Sequence, residues 1–415
     1  MVCLANYFSQ ELFFIAMDLS HFITTVVLVL LLSFSAADAR VEESGMQRGP
    51  LWLLPSVELE VGRDNNVLYS NANPSASWVA WLRAGVQMEL ESGPHRYDFS
   101  YGGEAGRFFS ESQSNYFDNN LAGGAHWEFS HRSLLDLDVK YADRHEARGT
   151  AYSIRTGEEL DEPDEISILE GGSAFTYGGE MATGRVKLDL SALSLRQQTR
   201  RDLLRWRDRD RINAGLTFFY RVMPKTSLLF EFVRGNVQYL HDPLSGQSLD
   251  SVEQRYLFGV TWDITGLTTG TVKVGSVEKD FEADSRQRFN GLSWDVVIEW
   301  APLSYSYFQL TTSTATQEPF GESNFIDERS IGLSWLHAWS NRVDSEIGGQ
   351  FIREDYEPNI RRDKTWLLTA QLNYAIQRLW QVGFKFNHQQ RSSSSSDERL
   401  DFSRRVFSLL VKSSF

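Results

Sequence analysis

The chain has 415 residues, 41% of them hydrophobic, and a formal net charge of −14. Its only cysteine is Cys3, which excludes a disulfide framework, a Cys-ligated metal or a cysteine nucleophile in the rest of the chain. The acidic balance gives no basis for a nucleic-acid partner. The telling figure is the aromatic share of 13%, with 12 Trp, 15 Tyr and 27 Phe, since aromatic girdles at two lipid–water interfaces would use such a surplus.

In chain order, His21 is followed by an apolar run over residues 22–36 that ends in Ala37-Asp38-Ala39. The run is short for a membrane span, and the ending is a small-x-small cleavage pattern, so residues 1–39 are expected to be an export signal, with Met17 an alternative start. No Lys or Arg precedes Arg40, which leaves an uncleaved anchor helix as the competing reading. Residues 40–52 then form a periplasmic lead-in and 53–415 a single barrel domain. No long apolar run follows residue 40, so the remainder can cross a membrane only as strands.

Apolar and polar residues alternate from residue 54 to the end. Val57, Leu59 and Val61 alternate with Glu58 and Glu60; Leu135, Leu137, Val139 and Tyr141 with Asp136, Asp138 and Lys140. Tyr256, Phe258, Val260 and Trp262 oppose Arg255, Gly259, Thr261 and Asp263, and Trp366, Leu368, Ala370, Leu372 and Tyr374 oppose Thr369, Gln371 and Asn373. A soluble sandwich also alternates. The strand ends separate the two: Trp294 with Trp300, Trp366 with Tyr374, and Tyr256 with Trp262 bracket aliphatic middles, as strands crossing two interfaces would.

About eighteen such segments are joined by links that alternate short and long. Short links fall near 91–95, 130–133, 182–185, 223–226, 264–268, 301–303, 340–342 and 376–379. Longer ones fall near 64–76, 110–119, 148–170, 198–208, 240–250, 281–287, 315–326, 355–363 and 391–398. The expected fold is all-β, a transmembrane up-and-down antiparallel β-barrel of about 18 strands in the outer membrane of a Gram-negative bacterium. The last strand carries Phe407, Leu409, Val411 and Phe415 on one face, a candidate signal for the outer-membrane barrel assembly machinery, although Ser413 interrupts it. With only about a dozen residues expected between the signal and the first strand, the plug domain of a TonB-dependent receptor is not expected.

The densest charge feature runs Arg196, Arg200, Arg201, Arg205, Arg207, Arg209 and Arg211, interleaved with Asp202, Asp208 and Asp210. On the alternation set by Ile212, Ala214, Leu216 and Phe218, the residues Arg207, Arg209 and Arg211 are expected to point into the lumen near its outer mouth. There they could meet the carboxylate, sulfate or phosphate groups of an anionic polysaccharide. Arg255 and Lys273 are further pore-lining candidates. The bland reading is that the arginines hold lipopolysaccharide phosphates or pair with the interleaved aspartates. The acidic loop from Glu158 to Glu165 lacks Ca²⁺-loop spacing and reads as a solvated outer loop.

His95, His126, His131, His145, His241, His337 and His388 are scattered without metal-ligand spacing, and there is no G-x-S-x-G, P-loop or Rossmann fingerprint. No enzyme activity, metal or cofactor is expected. His337 shares the apolar parity of Trp335 and Trp339 and reads as part of a girdle.

The first strand and its turn, Ser56-Val57-Glu58-Leu59-Glu60-Val61-Gly62-Arg63-Asp64-Asn65-Asn66-Val67, together with the expected signal, the strand count and the terminal Phe415, resemble the β-barrel porin family of exopolysaccharide operons (the EpsL type). The strand count is also similar to alginate-export and capsule-attachment barrels. The resemblance implies a role in secreting or assembling an extracellular polysaccharide. Expected partners are outer-membrane lipid and lipopolysaccharide, the assembly machinery and an anionic polysaccharide. A closed barrel that anchors glycan at the surface is the alternative, and an outer-membrane hydrolase or lyase the third reading.

Overall fold

Segments whose alternate residues are β-branched or aromatic fit a pleated, half-buried surface and pair as strands. The computed structural model describes residues 45–415, apart from 155, 180, 244–245, 264–266, 320–322 and 359–360. The expected export signal, with Cys3 and Met17, lies outside the described residues. A short strand β1 (Met46–Arg48) leads into β2 (Leu51–Asp64), β3 (Ser77–Ser92), β4 (His95–Phe108), β5 (Tyr116–Ser130), β6 (Ser133–Glu146) and β7 (Asp164–Tyr177). There follow β8 (Gly184–Gln197), β9 (Arg209–Met223), β10 (Thr226–Tyr239), β11 (Ser251–Asp263), β12 (Thr268–Phe281) and β13 (Phe289–Leu303). The sheet ends with β14 (Ser306–Gln317), β15 (Phe325–Ala338), β16 (Val343–Glu357), β17 (Arg362–Gln377), β18 (Trp380–Ser393) and β19 (Phe402–Ser414).

Each strand from β2 onward pairs antiparallel with the next, and β19 returns to pair with β2 from Val406↔Asp64 to Ser414↔Ser56. The result is a closed antiparallel barrel of 18 strands. Short and long links alternate around it, so all long links share one end. Closure leaves β2 longer than its partner. Phe415 N donates to Pro55 O at 3.0 Å, and below that point β1 folds back to cover Leu51–Leu53. Gly49, at φ +64°, makes the turn between β1 and β2, a conformation a Cβ would strain. The lead-in thus seals an edge that would otherwise expose unpaired backbone.

One face of each strand looks outward and is apolar. Leu188, Leu216, Phe258, Val274, Ile331, Leu333, Leu368 and Leu409 are all exposed. At the short-link end Tyr177, Tyr220, Trp300, Tyr305, Trp339 and Tyr374 are exposed in a band. Part of it is contiguous: Trp300 stacks on Phe308 and Phe308 on Trp335, and His337 sits against Trp335, Tyr305 and Trp339. In water such a surface would drive association; around a barrel it matches the hydrocarbon and its two interfaces. Ser413, which interrupts the outward row of β19, lies opposite Trp380 and is buried.

One hairpin departs from the wall. Pairing of β13 with β14 stops at Asp295↔Ser313, whereas β14 and β15 stay paired up to Gln317↔Ile326. Above Leu310 and Ile331 the outward row continues as Thr314 and Thr316 on β14 and Asp327 and Phe325 on β15. These four are buried. Thr314 Oγ1 donates to Ser293 Oγ at 3.2 Å, Thr316 Oγ1 to Glu253, and Phe325 packs on Phe281 and Phe289. All these partners lie on the inward rows of β11–β13. The described upper residues of β14 and β15 therefore lie inside the barrel, their outer face against the inner wall.

The two faces respond differently to charge. Leu333→Arg, on the outward row of β15, is expected to destabilise the barrel in lipid vesicles by about 2–4 kcal/mol. Ser334→Arg, its inward neighbour, is expected to change stability by less than about 1 kcal/mol. Urea titrations followed by tryptophan fluorescence measure both, and equal losses would contradict the assignment of faces.

Candidate functional site in the lumen

The inward rows carry charged and amide side chains, and the barrel brings together residues far apart in sequence. Arg83 on β3 donates from Nη1 to Glu58 Oε1 and Glu60 Oε2, both at 2.6 Å, and from Nε to Glu104 Oε2 at 2.5 Å. Ser408 on β19 donates to Glu60 Oε1 at 2.5 Å, and Tyr116 on β5 donates to Glu104. One guanidinium thus ties strands β2, β3 and β4, with β5 and β19 attached. A fork of donors against several carboxylates is the geometry that Arg provides and Lys does not.

Further round the wall, β8–β11 enclose a cavity of about 410 Å³ lined by both signs of charge. Lys187, Arg211 and Arg255 supply donors, and Asp189, Glu231 and Glu253 supply acceptors. Lys187 Nζ lies 2.6 Å from Asp189, Arg211 Nε donates to Asn213 Oδ1 at 2.9 Å, and Arg255 Nη2 donates to Ser293 Oγ at 3.0 Å. Lys273 is held between Asp295 (2.8 Å) and Glu231 (3.2 Å). Gly215 and Gly235 leave that wall without side chains and keep the cavity wide.

Above this cavity the inserted hairpin makes its own contacts. Lys279 Nζ, fully buried, donates to Glu318 Oε1 at 2.7 Å, and the Tyr239 hydroxyl donates to Glu318 Oε2 at 2.6 Å. Burial alone would push the Glu318 carboxyl up. Lys279 and Tyr239, with the charge of Arg209, outweigh it and hold the carboxyl below its ordinary value. At the long-link end, loops over 65–76, 109–115 and 147–163 cover a second cavity of about 220 Å³. It is lined by Tyr69, Trp81, Phe108, Tyr116, Arg148 and Arg404, among others. Arg148 is buried there, donating to Gly157 O at 3.0 Å and Ser114 Oγ at 3.2 Å.

The sequence-predicted residues do not form one cluster. Arg211, Arg255 and Lys273 lie on the inward rows, the first two lining the larger cavity. Arg209 opens β9 on the same parity, with Nη1 donating to Arg207 O. Arg207 lies outside the strand that the alternation predicts, although its partners Glu146 and Gln197 belong to inward rows. It belongs to a 3-10 turn (Arg205–Arg207) ahead of the strand, where it is buried and forms a bidentate pair with Glu146 at 2.6 and 2.7 Å. The reason is local: Leu204 and Trp206 bury their side chains, and Asp208 N bonds back to Arg205 O, ending the alternation. Three more of the Arg run are paired with aspartates: Arg196 with Asp210, Arg200 with Asp164 and Arg201 with Asp208. Asp164 belongs to the acidic loop, so part of that loop does meet the arginines. Phe407 and Leu409 are on the outer surface, with Phe407 packed on Phe384 and Phe386.

Sequence reasoning missed Glu318, Lys279, Glu253 and Thr316. A signal was present: on β14 the outward row changes from Phe308 and Leu310 to Thr312, Thr314 and Thr316, hydroxyls where lipid contact would want hydrocarbon.

Arg207→Ala strands the Glu146 carboxylate and is expected to destabilise the barrel by about 3–5 kcal/mol in urea unfolding, without altering ion selectivity. For Glu318, a depressed folded pKa adds stability above the ordinary carboxylate range, which is lost as the pH falls through the folded value. The stability gap between wild type and Glu318→Gln should therefore narrow on acidification below that range, as followed by urea midpoints at a series of pH values.

Residues 38–415 match the family described as "Putative beta-barrel porin 2". No curated protein matches the chain. Among solved structures, the outer membrane protein opdK of Pseudomonas aeruginosa is similar at 10% identity and a TM-score of 0.46, over 88% of this chain and 99% of that one. OccK2 (OpdF) of the same organism gives 10% and 0.46 over 88% and 98%. The siderophore receptor PirA of Acinetobacter baumannii gives 9% and 0.42 over 88% and 80%. With the family match spanning nearly the whole sequence, this chain belongs to that β-barrel porin family.

Proposed function

We propose that the protein sits in the outer membrane of a Gram-negative bacterium and conducts an extracellular polysaccharide, or its fragments, through its lumen. The supporting observation is the lining of the larger cavity, where donors from Lys187, Arg211, Arg255 and Asn213 face acceptors from Asp189, Glu231 and Glu253. A sugar hydroxyl both donates and accepts, so a wall offering both partners lets a glycan exchange water for protein hydrogen bonds along its path. Acidic groups on the polymer would face Arg211 and Arg255. Outside, exposed Arg63 on β2, Arg107 on β4 and Arg405 on β19 suit lipopolysaccharide phosphates at the long-link end. The row of Phe407, Leu409, Val411 and Phe415 is our candidate for recognition by the assembly machinery.

A second reading, a barrel that anchors glycan without an open pore, is favoured by the buried loops at the long-link end. Val67, Arg148, Leu204 and Leu400 are all buried there. Planar-bilayer recordings separate the two. The conduit reading expects discrete conductance steps, and Arg211→Ala with Arg255→Ala should shift the permeability ratio toward cations by roughly twofold or more, because the facing carboxylates remain. A non-conducting barrel would favour the anchoring reading.

A further inference from the structure

Two features of the β14–β15 hairpin belong together. Its upper part lies in the lumen, held by Glu318 to Lys279 and Tyr239 and by Thr316 to Glu253. The wall it leaves is incomplete: from Trp294 up to Phe289, β13 is paired only with β12 among the described residues. One group on that edge is rescued by a side chain, as Trp294 N donates to Thr314 Oγ1 at 3.1 Å. Backbone groups along a strand edge otherwise seek a partner.

We propose that the described upper part of this hairpin, residues 314–318 with 325–329, is a gate. In the conformation described here it is latched inside the lumen; in the other, β14 zips onto the free edge of β13 and the lumen widens. The register for that second state already exists. Continuing from Asp295↔Ser313 would set Thr314 opposite Trp294 and Thr316 opposite Leu292, on the outward row to which all four belong by parity. No side chain has to change face, so the motion needs no register slip. Packed sheets lie about 10 Å apart, and a hairpin against the inner wall takes about that depth from the passage. The two states exchange one set of bonds for another: the Glu318 latch and the contacts of Phe325 on Phe281 and Phe289, against ladder bonds along β13. The hairpin borders the large cavity, since Thr316 bonds Glu253, one of its lining residues. Opening would free Glu253 on the surface to which we assign the glycan.

The inference rests on the conduit reading, and the test distinguishes them. The full barrel, with Cys3→Ser, is recorded in planar bilayers as two double-cysteine variants. Leu292→Cys with Thr316→Cys can join only with β14 in the wall, because Leu292 is exposed on the outer surface while Thr316 is buried in the lumen. Glu253→Cys with Thr316→Cys can join only in the latched state. Oxidation should raise single-channel conductance at least twofold in the first variant and hold it at the low level in the second, with reductant reversing both. Glu318→Ala, which removes the latch, should raise conductance without oxidant. If that variant does not fold, the cysteine pairs decide. The gate is overturned if Leu292→Cys with Thr316→Cys fails to cross-link, or cross-links with conductance unchanged, while steps persist. Absence of conductance in every form overturns the conduit reading and the gate with it.

Discussion

The constraint on which the whole structure depends is that hydrocarbon offers no partner to a backbone N–H or C=O. A sheet in that medium must close, and β19 meeting β2 is where this chain closes. Much else follows from that seam. The outward rows must be apolar because they face lipid, the inward rows are free to be charged, and the links must alternate so that consecutive strands run antiparallel. Even β1 answers to it: where β19 stops opposite Pro55, β1 covers the rest of β2.

Closure also explains the electrostatics of the lumen. Charges partly withdrawn from water are tolerable when paired, and a barrel places complementary groups on neighbouring inward rows at cross-strand distance. Arg83 with Glu58, Glu60 and Glu104, and Lys273 with Glu231 and Asp295, are pairs of this kind. Their consequence is a wall whose positive groups are largely neutralised by fixed carboxylates.

The barrel was legible in the sequence because the period of two is a local property repeated in every strand, and the link lengths fall near where they were expected. The site was less legible, for a physical reason: its contacts join residues that only closure brings together, such as Asp64 with Arg404 and Glu60 with Ser408. Arg207 shows the opposite failure. The run Arg207-Asp208-Arg209-Asp210-Arg211 alternates in sign as well as a strand does. Yet the burial of Leu204 and Trp206 turns the first part of it into a helix-like cap. Alternating charge has no apolar face to pin its register, so a neighbouring pair of hydrophobes decides it.

The β14–β15 hairpin is where the rule of closure is relaxed, and the location is instructive. Pairing of β13 with β14 lapses above Asp295, toward the long-link end, where the outward rows of the hairpin have already turned to Thr314, Thr316, Arg329 and Asp327. An unpaired edge deep in hydrocarbon would be prohibitive; one at the level of polar side chains can be met by water or by a hydroxyl such as that of Thr314. The same polarity lets the hairpin's outer face rest on either medium. Two hydroxyls, an aspartate and an arginine are compatible with the interfacial exterior and with the charged inner wall, and Phe325 alone on that row is packed on apolar rings. A strand end whose polar side chains find partners on either side is what the proposed two-position element requires.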